Sequence, residues 1–218
     1  NPESSPEAYK LAAQLRSGQG KFSRRQLLKH AGGSDPFLAR SSLLALARQA
    51  AGWKHDDVAR LKAPDRIQAV LSLKLSAAAA APWVRQFLAD KNPEVQFETL
   101  RWIADAQLVA FLPVVEKLLR RSDLSYQLFE AALATRNTLK GKPEAGARDV
   151  ETLLARVRDA NAAPSVRAFS LRLLPTRPRV ASKSGTAPTQ SFPKGLTAKL
   201  LGELVLEDHE ELSLEAIR

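Results

Sequence analysis

Between Asn92 and Leu119 the chain reads NPEVQFETLRWIADAQLVAFLPVVEKLL, and its apolar residues recur at three- and four-residue spacing twice in succession. Asn92 suits a helix cap and Pro93 a first turn, after which Val95, Phe97, Leu100, Ile103 and Ala104 fall mostly on one face. A second stripe follows at once, made by Leu108, Phe111, Leu112, Val115, Leu118 and Leu119. Two short amphipathic helices joined this tightly are expected to lie antiparallel.

The first of these patterns has echoes along the chain. They are DPFLARSSLLALA from Asp35, DRIQAVLSLKL from Asp65, LSYQLFEAALAT from Leu124, PSVRAFSLRLL from Pro164 and EELSLEAIR from Glu210. With Leu38, Ile67, Val95, Tyr126, Val166 and Leu212 as equivalent positions, the spacings are 29, 28, 31, 40 and 46 residues. The last two are longer because GKPEAGARD and PTRPRVASKSGTAPTQSFPKG are inserted, both too rich in Gly, Pro and Ser for helix interior. Residues 6–16 and 24–31 predict one more pair at the front, with Ser5 or Ser23 as caps, Pro6 in a first turn, and Gly18 and Gly32 at helix exits.

A helix pair of about 30 residues cannot bury its apolar stripe alone and stacks on its neighbours. The expected fold is therefore all-α: an α-solenoid of antiparallel pairs, one domain over residues 1–218, with a flexible insert at 175–195 that is long for a compact domain. An irregular helical bundle with similar capping chemistry competes with this reading. The shared Pro or Asp, the apolar anchor after it and the Leu-Ala run favour the repeat. Aromatic residues make up 6% of the chain while Ala and Leu abound, so no sheet is expected.

From about Gln26 onward the repeats resemble HEAT repeats of the short bacterial type. More narrowly, LLKHAGGSDPFLARSSLLALAR, NPEVQFETLRWIAD, LSYQLFEAALATRNTLKG and LEDHEELSLEAIR look like the HEAT-repeat region of large bacterial proteins described as putative membrane-bound dehydrogenases with a haem-binding domain. That resemblance implies an exported, periplasmic multidomain protein: a sugar-dehydrogenase-like β-propeller, helical repeats, and a cytochrome c module with a Cys-x-x-Cys-His site. Without the resemblance, the bacterial cytoplasm is the expected compartment. The chain has no cysteine, which removes thiolate metal sites, disulfides and covalent haem attachment from these residues, and nothing reads as propeller strands. No redox activity is assigned here, and no cofactor is expected.

The sequence starts at Asn1 and has no methionine, and it reads as a piece of a longer protein. DHEELSLEAIR looks like the first helix of a pair, which would leave Leu212, Leu214 and Ile217 without a cover. No apolar run approaches the length of a membrane span; Ala77 to Ala81 is a pause of small residues.

Charge adds a partner question. The formal net charge is +10, and from Arg156 to Lys199 nine Lys or Arg face one acid, Asp159. Residues 200–218 reverse the sign, with six acids and Arg218. Such a basic segment suits phosphates, an acidic protein or an anionic surface, or is simply solvated. Nucleic acid is the rival partner, because RRQLLKHA near Arg24 resembles the HEAT-like alkylpurine DNA glycosylases. A base pocket would need clustered aromatics beside a carboxylate. Of Trp53, Trp83 and Trp102, Trp102 stands three residues from an acid, Asp105; packing between repeats, with Arg101 and Asp105 in an inter-repeat ion pair, is the preferred expectation.

Catalytic motifs are wanting. His30, His55 and His209 are far apart, and His55-Asp56-Asp57 reads as capping at a helix start, since adjacent residues diverge on a helix. There is no phosphate loop, nucleophile elbow or His-Glu-x-x-His string. Glu94 and Glu98, four apart, are expected to be solvated. A non-catalytic interaction scaffold is the expected role, its partner a protein or neighbouring domains of the same chain, with Arg101, Trp102, Arg136, Arg167 and Arg172 as candidate contact residues.

Overall fold

A computed structural model describes residues 6–76, 78–175, 177–178, 190–191 and 193–218. Among the described residues the protein is helical, with thirteen α-helices and one pair of two-residue strands. It divides into two compact units, Asn1–Trp102 and Ile103–Arg218.

The first unit holds α1 (Pro6–Ser17), α2 (Arg24–Ala31), α3 (Pro36–Gln49), α4 (His55–Ala59), α5 (Ala63–Lys74), α6 (Ala80–Leu88) and most of α7 (Pro93–Asp105). Capping fixes several starts. Ser23 and Gln26 form a reciprocal capping box at α2, Asp35 Oδ1 accepts from the amides of Phe37 and Leu38, and Asn92 Oδ1 accepts from those of Glu94 and Val95. α3 packs against α1, α2 and α5, and α5 against α4 and α6. Leu15, Leu27, Leu46, Leu73 and Phe87 are fully buried in this unit, each contributing about 1.5–3 kcal/mol of transfer free energy.

The second unit runs through a short 3-10 turn (Val109–Phe111), α8 (Leu112–Leu118), α9 (Tyr126–Leu139), α10 (Val150–Arg158), α11 (Pro164–Leu173), β1 (Arg177–Pro178), β2 (Gln190–Ser191), α12 (Ala198–Val205) and α13 (Glu210–Ile217). α11 is central, packed on α9, α10 and α13. Phe129 and Phe169 meet at 5.7 Å where α9 faces α11.

All six equivalent positions of the sequence repeat lie in odd-numbered helices: Leu38 in α3, Ile67 in α5, Val95 in α7, Tyr126 in α9, Val166 in α11 and Leu212 in α13. One even-numbered helix separates each from the next. Within the units, α3 packs on α5, and α11 on both α9 and α13.

Several expectations need correction. The stripe from Leu108 is not one helix: a 3-10 turn covers Val109–Phe111, and α8 begins at Leu112 with Pro113 in its first turn, where a missing N–H costs nothing. At the front, α1 packs chiefly on α3 instead of closing a pair with α2. A small sheet does exist, Arg177 opposite Ser191 and Pro178 opposite Gln190, and Pro178 lacks the N–H that a longer ladder would use. Leu212 is fully buried, since α13 packs on α11 and α12, whereas Leu214 and Ile217 are exposed as expected. Most of the 175–195 insert lies outside the described residues, as do Ser5 and Ala77.

Candidate functional site

Arginines on odd-numbered helices make the most specific polar contacts. In α11, Arg167 is 6% exposed; its Nη1 and Nη2 donate to the two oxygens of Glu207 at 2.6 and 2.8 Å, and its Nε donates to the Val157 carbonyl of α10 at 3.0 Å. Arg66 in α5 does the same in the other unit. It is bidentate to Asp90, at 2.6 and 2.9 Å, and donates to the carbonyl of Leu61 just beyond α4. Each guanidinium thus joins the end of the preceding even helix to an acid following the next even helix. The planar fork suits this double duty, and a cation at a helix C-terminus complements the dipole there.

The remaining candidate residues divide by environment. Trp102 is buried. Arg101 is exposed and binds Glu98 of its own helix at 3.0 Å, and Glu98 is a largely shielded ion-pair partner instead of a solvated acid. Arg172 is exposed, with its guanidinium 4.4 Å from the centre of the Tyr126 ring. Burial, with the Glu130 charge adding, pushes the Tyr126 phenol above its usual pKa, and Arg172 opposes that shift.

Arg136 has a different setting. It reaches from α9 to Glu116 Oε1 of α8 at 3.4 Å and to Thr152 Oγ1 of α10 at 3.3 Å, and also touches Asn137 Oδ1 at 3.0 Å. Glu116 in turn accepts from Lys140 Nζ at 2.8 Å. The Lys140 hydrogen bond and charge, joined by Arg136, outweigh desolvation and hold the Glu116 carboxyl below the usual range.

Beside Arg136 lies a groove of about 650 Å³, bounded by the end of α8, by α9, α10 and the first turn of α11. Three guanidinium groups line it: Arg120, Arg136 and Arg156. Arg156 is part-buried, its guanidinium 6.0 Å from the Phe129 ring centre and its Nη1 donating to the Leu119 carbonyl at 3.3 Å. Its buried Nε has no acceptor, and no carboxylate forms a salt bridge with it among the described residues, Glu116 and Asp159 acting on it only at longer range. Burial first, then the charges of Arg136 and Arg120, pull its pKa below the usual arginine value. Arg120 likewise makes no side-chain hydrogen bond or ion pair among the described residues. Glu151 and Asp159, both exposed, also line the groove.

Sequence reasoning singled out Arg136 but neither Arg120 nor Arg156. Arg156 opens the basic run from 156 to 199, which was the available signal. Arg120 is indistinguishable in sequence from Arg121, which the structure pairs with Asp123 at 2.6 Å.

The histidine cluster lies at a helix start as expected, but without a side-chain cap. Asp56 and Asp57 occupy the first turn of α4, but the residue before the helix, Lys54, gives no side-chain cap. His55 stacks on Trp83 at 3.9 Å, and Gln86 Nε2 donates to the His55 carbonyl at 3.0 Å. No group of three or more His, Asp or Glu among the described residues could hold a metal ion. No helix among them is long and apolar enough to cross a membrane. No protein-family model, curated protein or solved structure matches the chain.

Proposed function

We propose that this chain is a non-catalytic helical-repeat scaffold, a HEAT-like α-solenoid that mediates protein–protein interaction or domain packing within a larger, redox-related protein. The observation that supports it best is the repeated clamp. Arg66 stands one residue before a repeat position, Ile67, and Arg167 one residue after another, Val166, so the two are not the same repeat position, yet each ties its helix to the pairs before and after it. Stacked units depend on such nearest-neighbour links, and a rigid stack offers an extended binding surface without a catalytic pocket.

Small-angle scattering tests the architecture. A compact globule of this length has a radius of gyration of about 17 Å. The solenoid is expected well above that value, and a result at it rules the solenoid out. For the redox-related parent, the test is the sequence beyond these residues: a propeller and a Cys-x-x-Cys-His module support it, and a complete gene lacking both removes it.

Duplex binding is the second reading, favoured by the net charge of +10. Against a glycosylase-like pocket, Trp102 is buried and cannot stack a flipped base. Titration with duplex at two salt concentrations decides the matter: phosphate contacts weaken steeply with salt, and no binding at low salt eliminates this reading.

A further inference from the structure

The geometry points to the groove of Arg120, Arg136 and Arg156 as a binding site for a phosphate monoester, an anion with three terminal oxygens that the three guanidiniums can share. This does not depend on the solenoid reading, since every residue of the groove lies within the second unit.

A half-buried cation without a carboxylate is costly, and two further cations beside it raise that cost. Elsewhere in the protein the problem is solved internally: Arg66 has Asp90 and Arg167 has Glu207. Arg156 has a neutral carbonyl, an aromatic ring and two like charges, and the charges of Glu116 and Asp159 reach it only at longer range, neither forming a salt bridge with it. What it lacks is a counter-ion in direct contact, and the groove it lines has room for one.

The surroundings select the kind of anion. Guanidinium forks match tetrahedral oxyanions with paired hydrogen bonds, and clustered arginines are the usual reader of phosphorylated side chains. Ala163 and Val166 bring the first turn of α11 to the groove, and that helix starts without a side-chain cap, leaving its dipole free to favour a negative group. The exposed acids Glu151 and Asp159 would repel a long polyanion crossing the groove, so a single compact dianion fits where a nucleic-acid strand does not.

The phosphate monoester has two sources, a free small molecule or a phosphorylated side chain on a partner protein. Isothermal titration of the 218-residue chain with three probes separates them: inorganic phosphate, an acetylated Gly-phosphoserine-Gly peptide and its Gly-Glu-Gly counterpart. Phosphate and the phosphopeptide are expected to bind and the glutamate peptide to bind far more weakly. A phosphopeptide tighter than phosphate marks the partner side chain as the source, while equal affinities mark the free anion.

R120Q is the main variant, because Arg120 has no role in the fold that the structure shows. It is expected to weaken phosphate binding about tenfold or more while leaving the unfolding midpoint in place. R156Q is the second variant, expected to lose binding more completely. R101Q, outside the groove, should leave affinity unchanged. Absence of binding to both phosphate probes overturns the site, as does a glutamate peptide that binds as well as the phosphopeptide. Equal losses in R120Q and R101Q would mean diffuse charge attraction and overturn it too.

Discussion

Arg167 and Glu207, forty residues apart in sequence, face each other through two parallel hydrogen bonds of 2.6 and 2.8 Å. The bond spans the insert, fastening the turn between α12 and α13 to α11. The two partners are unequally buried: the Arg167 side chain is 7% exposed and that of Glu207 37%. Removing the acid therefore strands a buried cation, whereas removing the base frees a carboxylate that water can reach. E207A is expected to cost about 2–4 kcal/mol and R167M about 1–2 kcal/mol. Urea unfolding of both variants checks the order, and the double variant should resemble R167M. R167M proving the costlier would contradict this account of the pair.

That pair also shows how far the sequence could be read. The odd-numbered helices were legible because anchors such as Val95, Val166 and Leu212 recur in similar contexts and are all buried. Arg167 was legible as a candidate contact residue beside the repeat position Val166 but not as a clamp, since its acid lies beyond an insert whose path no local pattern encodes. The same holds for Glu116, where Lys140 and Arg136 arrive from the far end of the next helix. Pro113 gave a local signal that the longer apolar stripe outweighed, and α8 consequently starts four residues later than Leu108. The cation groove was the hardest to see, because it joins the ends of three helices and the first turn of a fourth. Charge counts along the chain register a surplus, not its convergence.

Glu116 predicts an acid-sensitive contribution to stability. Its folded-state pKa is lowered, chiefly by the Lys140 hydrogen bond, so the folded state holds the ionised form more tightly than the unfolded chain does. The contribution is fully present above roughly pH 5 and is lost as pH falls through the depressed folded value. E116Q should be less stable than the wild type at pH 7, and the gap should close only in buffer acidic enough to protonate the folded carboxyl, below the ordinary glutamate range. Thermal melts across that range measure it, and a gap that widens on acidification would refute the assignment. Glu116 is about a third exposed, so the effect at pH 7 is small, within about 1 kcal/mol.

Two glycines should respond to alanine in opposite ways. Gly195 has φ +105°, and an added Cβ would stand 2.6 Å from Arg158 Nη2, the group that donates to the Gly195 carbonyl at 2.6 Å. G195A has to strain the backbone and displace that arginine, at a cost of about 1–3 kcal/mol. Gly202 lies inside α12 with open space around it. G202A should raise stability by about 0.5–1 kcal/mol through higher helix propensity and a less flexible unfolded chain. Denaturant midpoints of the two variants are expected to move apart, and a joint fall would show that the space beside Gly202 is not free.

Phe129 connects the core of the second unit to the cation groove. It is fully buried, its ring 5.7 Å from that of Phe169 on α11 and 6.0 Å from the Arg156 guanidinium. F129A would open a cavity at the α9–α11 contact and cost about 3–5 kcal/mol. F129L keeps most of the volume and should cost less, but it removes the aromatic face on which Arg156 rests. In F129L the guanidinium loses a cation–π contact worth about 0.5–2 kcal/mol and gains freedom to move. Nitrogen-detected NMR of the arginine side chains is therefore expected to show Arg156 broadened or shifted in F129L while Arg120 stays in place. Unchanged Arg156 signals would mean that the Leu119 carbonyl alone fixes its position.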